Sequence, residues 1–335
     1  MKKLSLTMLT LAVCTLGLTA CPGTRSEGAD SIKVGILQPV EHVALDAARD
    51  GFKEGLASKG YDASKVEFIY RNAGGKGPAE IATYAKDLVS TCDLYLGIGT
   101  DASKALKSAA EDKGLIKPCL FTAVTDPVDA GLVESLENGK GFVTGTSDMQ
   151  PIAAQIDLIQ ECIPGVDKIG ILYTQSETNS VVQANQAEAA INAKGGITAV
   201  RQTCTGPSDV SAAALALANT EGLDAIYIPT DNNIAANTDA VKTAVQNKGV
   251  LVVTGEEGMM AGCGAATLSI DYKSLGKVTG EMAAQILKED LVPGKLPVKT
   301  MTAADCEYVI SSANCADANV TLPTSVIEKS RDINA

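Results

Sequence analysis

The sequence predicts an α/β protein of two lobes, each a parallel sheet flanked by helices, with a ligand cleft between the lobes. Three observations carry that expectation. Strand-like runs alternate with amphipathic helical stretches from Ser31 onward. The strands are continuous in Ile, Val and Leu, the pattern of strands buried on both faces. The alternation pauses near 141–146 and then restarts, which places two units of similar size in tandem.

Ahead of that body stand Lys2, Lys3, an apolar stretch from Leu4 to Leu18, and Leu18-Thr19-Ala20-Cys21. A basic start, a short apolar core and small residues before a cleavage point describe an export signal over residues 1–20. The core is too short for a comfortable membrane span. The Leu-x-Ala-Cys placement predicts a bacterial lipoprotein whose mature chain begins at a lipidated Cys21, outside the cytoplasm; an ordinary secretory signal with an incidental cysteine is the alternative. The two acyl chains of a diacylglycerol on Cys21 suffice for stable anchoring. Residues 21–30, rich in Gly, Pro and small polar groups, form a flexible tether.

Strands are expected at 32–37, 66–72, 93–99, 119–124, 169–174, 198–204, 225–229 and 250–254. The first helix sets Leu45, Ala48, Phe52 and Leu56 on one face and Arg49, Asp50, Lys53 and Glu54 on the other, and Lys59-Gly60 stops it. Ile81, Ala85 and Leu88 repeat the pattern, as do Ile152, Ile156 and Ile159, then Val278, Met282 and Ile286. The run 141–146 is taken as the connection between lobes. A second crossing is expected at 266–271, followed by one more helix to Lys288. Cys306 and Cys315 flank a segment expected to form a C-terminal hairpin.

The whole chain is 45% hydrophobic and 20% charged, which suits a sizeable buried core. Its net charge of −12 argues against nucleic acid or anionic lipid as the main partner. Nine cysteines in an exported chain suggest disulfides. Cys92 with Cys119 is the first expected bridge, from the starts of neighbouring strands, and Cys306 with Cys315 the second; buried free thiols are the alternative for both. No Cys-x-x-Cys occurs, so a zinc or dithiol centre has little support, and no metal or cofactor is expected.

Ligands of open parallel sheets bind outside the carboxyl ends of the strands. The residues there are Gln38, Glu41 and His42; Asn72; Thr100 and Asp101; Thr125 and Asp126; Gln175, Ser176, Asn179 and Ser180; Thr230, Asp231 and Asn232; and Glu256. Nearly all are hydrogen-bonding groups. A dinucleotide fingerprint, a phosphate-binding Gly-Lys-Ser/Thr loop and a Gly-x-Ser-x-Gly elbow are all missing, so nucleotide binding and hydrolysis are disfavoured.

The chain resembles the ABC-transporter substrate-binding lipoproteins whose characterised members bind aromatic amino acids. The resemblance rests on Gln38-Pro39-Val40-Glu41-His42, Leu45-Asp46, Gly51-Phe52, Gly97-Ile98-Gly99-Thr100 and Phe121-Thr122-Ala123-Val124-Thr125-Asp126-Pro127-Val128. It continues through Val143-Thr144-Gly145, Ile169-Gly170-Ile171-Leu172-Tyr173, Asn179-Ser180, Pro229-Thr230-Asp231-Asn232 and Leu275-Gly276. It implies a two-lobed type 1 periplasmic-binding fold that closes over its ligand and delivers it to a membrane permease. The lobes would comprise 31–144 plus 271–296, and 145–270 plus 297–330. The chain has no Trp and only four Phe, which suggests a less aromatic pocket than an aromatic amino acid binder would have.

An α-amino acid needs donors for its carboxylate and an acidic acceptor for its ammonium. Thr100, opening a helix with free N–H groups, is the candidate donor, with Thr125 assisting. Asp231 is the candidate for the ammonium, with Asn232 adding a hydrogen bond and Asp126 in reserve. Turn or cap roles remain open for Asp231, Asn232 and Asp126, and for Ser176, Asn179 and Ser180. His42, the only histidine, either reaches the ligand or caps its helix. The expected function is a monomeric solute receptor of an importer. A sugar or nucleoside ligand, a sensory subunit and a secreted hydrolase are the alternatives.

Overall fold

The computed structural model of the chain describes residues 31–335; the signal, the tether and Cys21 lie outside the described residues. The chain begins with β1 (Ile32–Gln38), α1 (Val43–Ser58), β2 (Val66–Asn72), α2 (Pro78–Thr91), β3 (Leu94–Ile98), α3 (Thr100–Lys113), β4 (Cys119–Val124) and β5 (Val143–Ser147). It continues with α4 (Ile152–Cys162), β6 (Lys168–Thr174), α5 (Thr178–Lys194), β7 (Thr198–Cys204), α6 (Val210–Ala218) and β8 (Ala225–Ile228). Then come α7 (Asn232–Ala235), α8 (Thr238–Val245), β9 (Leu251–Thr254), β10 (Ala266–Ile270) and α9 (Tyr272–Glu289). The last elements are β11 (Lys299–Thr300), β12 (Cys306–Ile310), α10 (Ser312–Ala318), α11 (Thr324–Lys329) and β13 (Arg331–Asp332).

Two sheets result. Six strands run in the order β11-β5-β4-β3-β1-β2, and seven in the order β13-β12-β10-β9-β8-β6-β7. Within each sheet the pairs are parallel, except β10 with β12. Helices cover both faces because the central strands have no solvated side; every residue of β3, β4, β8 and β9 is buried.

The chain passes between sheets after β5, after β10 and between β11 and β12. Val143–Ser147 is thus a strand of the first sheet rather than a pause, and Lys299–Thr300 pairs with it beyond the expected return at 296. β4 meets β5 through a register shift beside Ala123, whose φ is +54°. An alanine costs energy there, and a bulge of this kind bends the strand end. Immediately after it Thr125 is buried against Thr230 of the other lobe.

The first helix packs on α9 through reciprocal glycines. A Cβ on Gly51 would lie 2.0 Å from the Lys273 carbonyl oxygen, and one on Gly276 only 1.9 Å from that of Ala48. Gly55 and Gly280 repeat the contact one turn further on. Backbone therefore meets backbone, with Ala48, Phe52 and Leu56 buried alongside as the apolar spacing predicted.

Neither expected disulfide is present; Cys92, Cys119, Cys306 and Cys315 are free thiols. Cys92 caps α2 instead of opening β3, and Cys119 pairs in register with Tyr95, three residues further on. At ~3.3 Å per residue that offset exceeds the ~7 Å Cα limit for a bridge. The expected C-terminal hairpin is likewise a strand followed by a helix. Ser311 caps α10 by accepting from the Asn314 N–H, while Cys306 lies opposite Ile270 and Cys315 against Ala265, at opposite ends of β10.

Among the described residues no helix is long and apolar enough to cross a membrane, and no group of three or more His, Cys, Asp or Glu is placed to hold a metal.

Candidate ligand-binding site

The carboxyl ends of the two sheets face a cavity of about 20 Å³ lined by His42, Leu45, Ala123, Thr125, Asp148, Asn179, Thr230, Asp231, Asn232, Ala235, Glu256 and Tyr272. That volume is room for about one water. The lobes are drawn together across it. His42 Nε2 lies 3.1 Å from Asn232 Oδ1, Thr125 Oγ1 lies 3.3 Å from Thr230 Oγ1, and Gln183 Nε2 donates to Thr125 Oγ1 at 3.2 Å. A second cavity of about 100 Å³ shares Asn232 and is lined by Pro39, Val40, Ile81, Asp101, Ser176 and Glu177 among others.

Several expected site residues serve the scaffold. Gln38 donates to the Val40 carbonyl and to Asp46, bracing the turn between β1 and α1. Asn72 accepts from the Gly74 N–H, and Asp126 from Val128 and Asp129, so both are turn formers. Ser176 is exposed and donates to the Thr205 carbonyl. Thr100 is buried at the start of α3 with its Oγ1 unpartnered. Asn179 and Ser180 both donate to the Thr230 carbonyl.

Asp231, the expected ammonium acceptor, lines the cavity, but its oxygens are already engaged. Oδ1 accepts from Thr174 Oγ1 at 2.8 Å and from the Ile234 N–H at 2.9 Å, and Oδ2 accepts from the Thr174 N–H at 2.5 Å. It caps α7 and ties that helix to β6. Asp231→Ala is therefore expected to lower the melting temperature by several degrees, since it leaves three donors without their buried acceptor at a net cost of ~1–3 kcal/mol. Thermal unfolding without ligand checks this; an unchanged midpoint would return Asp231 to the list of free ligand groups.

Glu177 holds Asn232 in place. It accepts from the Asn232 N–H and side-chain amide at 3.0 and 2.7 Å and from the Asn233 N–H at 2.9 Å. Its carboxyl is pushed up by burial and by the nearby Asp231 charge. His42 is held below its ordinary range by burial, so the imidazole is neutral near pH 7. Its Nδ1 has no partner.

Asp148, which sequence reasoning missed, lies at the first crossing and Tyr272 at the second. The Tyr272 hydroxyl donates to Asp148 Oδ2 at 2.6 Å, joining the two segments. The other oxygen, Asp148 Oδ1, is buried without a donor, as are Gln150 Oε1 and Glu256 Oε1. Glu256 Oε2 accepts from the Gly258 N–H. Asp148 is 3% exposed and Glu256 2%, and no Lys or Arg lines the cavity. Burial raises both carboxyls, that of Glu256 to about 8. Such a site repels an anion and favours a cation that brings its own hydrogen-bond donors.

These raised values have a sign. Folded Glu256 holds its proton more tightly than the unfolded chain, so its contribution is fully present below the ordinary carboxyl value and is lost as pH rises toward about 8. The unliganded protein should lose melting temperature from pH ~5 to ~8, and Glu256→Gln should flatten that decline. Equal slopes in the two proteins would show that other groups carry it.

Comparison with known proteins follows the same geometry. Residues 33–333 match the family model described as ABC transporter substrate binding protein. A tyrosine-binding protein of Clostridioides difficile is 34% identical over 269 residues, covering 80% of this chain and 76% of the relative. The structure of a Streptococcus pneumoniae ABC domain in complex with L-Trp superposes with a TM-score of 0.83 at 32% identity, over 90% of this chain and 99% of that one. A ligand-free, open substrate-binding protein with adhesive properties from Clostridium difficile gives 0.65 at 31% identity over the same shares. The family is one of binding proteins, not enzymes, and its members work outside the cytoplasm. The chain belongs to the ABC transporter substrate-binding protein family.

Proposed function

We propose that this protein is the lipid-anchored, monomeric receptor of an ABC importer, held at the membrane through Cys21, and that it captures an aromatic amino acid by closing its lobes. The observation that carries the ligand class is the pair of buried acceptor oxygens without donors on two residues that line one cavity, Asp148 Oδ1 and Glu256 Oε1. An ammonium has three N–H donors to offer them. Thr100 Oγ1, also unpartnered, and the free N–H groups opening α3 are the groups assigned to the ligand carboxylate.

Closure is supported by the relatives. At nearly equal identity, the chain superposes better on the L-Trp complex than on the open, ligand-free protein. An amino acid does not fit a cavity of about 20 Å³, so the lobes must part to admit it, breaking the His42–Asn232 and Thr125–Thr230 contacts, and then close against the ligand rather than against each other.

Thermal shift of the chain without residues 1–21 tests the reading across amino acids, sugars and nucleosides. A ligand at a hundred times its Kd adds ~2.7 kcal/mol, which moves the midpoint by several degrees. Stabilisation by Trp, Tyr or Phe is expected. Stabilisation only by sugars or nucleosides would keep the fold and overturn the ligand.

A further inference from the structure

Asp148 and Glu256 reach the same cavity from different elements, one beyond β5 and the other beyond β9, each with a buried oxygen that accepts no hydrogen bond. The groups around them supply no compensating cation. Asp148 accepts from the Tyr272 hydroxyl and lies beside Thr125, while Gln150 donates to that same hydroxyl. Glu256 meets the Gly258 N–H, the neighbouring Glu257 and the Cys263 thiol; Glu257 is paired outward with Arg331. Across the cavity stand a neutral His42 and another acid, Asp231.

Burying two carboxylates in one cavity without a positive charge is costly, and the usual escape is to retain a proton. An arriving ammonium offers the same positive charge in the same place. We propose that the site exchanges cation for cation: capture of the ligand ammonium displaces a proton shared by Asp148 and Glu256, and that proton passes to solvent. The charge at the acid pair, counted with the cation it holds, is then the same before and after binding, and each capture event is coupled to proton release. This deepens the amino acid reading and rests on it. Burial raises both carboxyls, that of Glu256 to about 8, which favours a retained proton near neutral pH.

The test is calorimetric titration of the full soluble chain with L-Trp and L-Tyr, near neutral pH, in phosphate and in Tris. These buffers differ in the heat of taking up a proton, so the difference in observed enthalpy counts protons. Release of about one proton is expected, with affinity rising about tenfold per pH unit over pH ~5.5 to ~7.5. Glu256→Gln cannot hold the proton and should lose most of both effects while retaining weaker binding. Equal enthalpies in the two buffers with a flat pH profile would overturn the exchange and leave the amino acid reading standing. The same release with 3-indolepropionate, which lacks the ammonium, would also overturn it. Failure of every amino acid to bind would overturn the underlying reading itself.

Discussion

Asp148→Asn is expected to weaken binding of an amino acid by roughly 30-fold to 3,000-fold, with little loss of folded stability. Truncating one partner of a buried, hydrogen-bonded charge pair costs ~2–5 kcal/mol, and each 1.4 kcal/mol is a factor of ten. Asparagine keeps the shape and an oxygen that accepts from the Tyr272 hydroxyl, so the link between the two crossing segments survives. It loses the charge that meets the ammonium. Burial raises the carboxyl of Asp148, so the folded state gives up stability as pH climbs past the ordinary carboxyl value, and the uncharged variant escapes that loss. Its unliganded melting temperature should match or exceed that of the parent. Calorimetry with L-Trp or L-Tyr supplies the affinity and thermal unfolding the stability. Unchanged affinity would remove Asp148 from the site.

The second large effect concerns stability. Gly276→Ala is expected to lower the melting temperature by ~5–10 °C, because its Cβ would sit 1.9 Å from the Ala48 carbonyl oxygen, a backbone atom with no rotamer by which to yield. Overpacking costs ~1–3 kcal/mol and more against backbone, at ~2–4 °C per kcal/mol for a chain of this order. Gly280→Ala should behave alike, its Cβ lying 2.1 Å from the Phe52 carbonyl oxygen. Gly206→Ala is the contrasting case, with extended backbone and nothing within 4 Å of the added methyl. It should be close to neutral. Because α9 begins at Tyr272, forcing it off α1 also shifts the hydroxyl that orients Asp148, so the two α9 variants should bind ligand more weakly.

The parts of the fold legible in the sequence were those where burial fixes the pattern. Runs of Ile, Val and Leu marked the central strands, and the Leu45, Ala48, Phe52 and Leu56 spacing marked the buried face of α1. Val143-Thr144-Gly145-Thr146-Ser147 carried no such signal, since it is small and polar, yet it is a fully buried strand. Missing that strand hid Asp148, which follows a strand end in the manner of the other candidates. Had 143–147 been read as a strand, the rule that placed Glu256 on the list would have placed Asp148 there too. The segment between Cys306 and Cys315 resembled a hairpin because Ser and Asn form turns and cap helices alike, and only the structure separates the two roles. Asp231 carries the same ambiguity. A carboxylate beyond a strand end serves equally as a ligand group or a helix cap, and the Thr174 and Ile234 donors that engage it come from packing.

A crystal structure of the protein grown with L-Trp or L-Tyr would locate the ammonium. The ligand is expected between the sheets, its ammonium nitrogen within hydrogen-bond distance of the Asp148 and Glu256 carboxylates and its carboxylate toward Thr100. A ligand seated elsewhere, or one whose ammonium contacts Asp231 and leaves Asp148 and Glu256 unpaired, would contradict that placement.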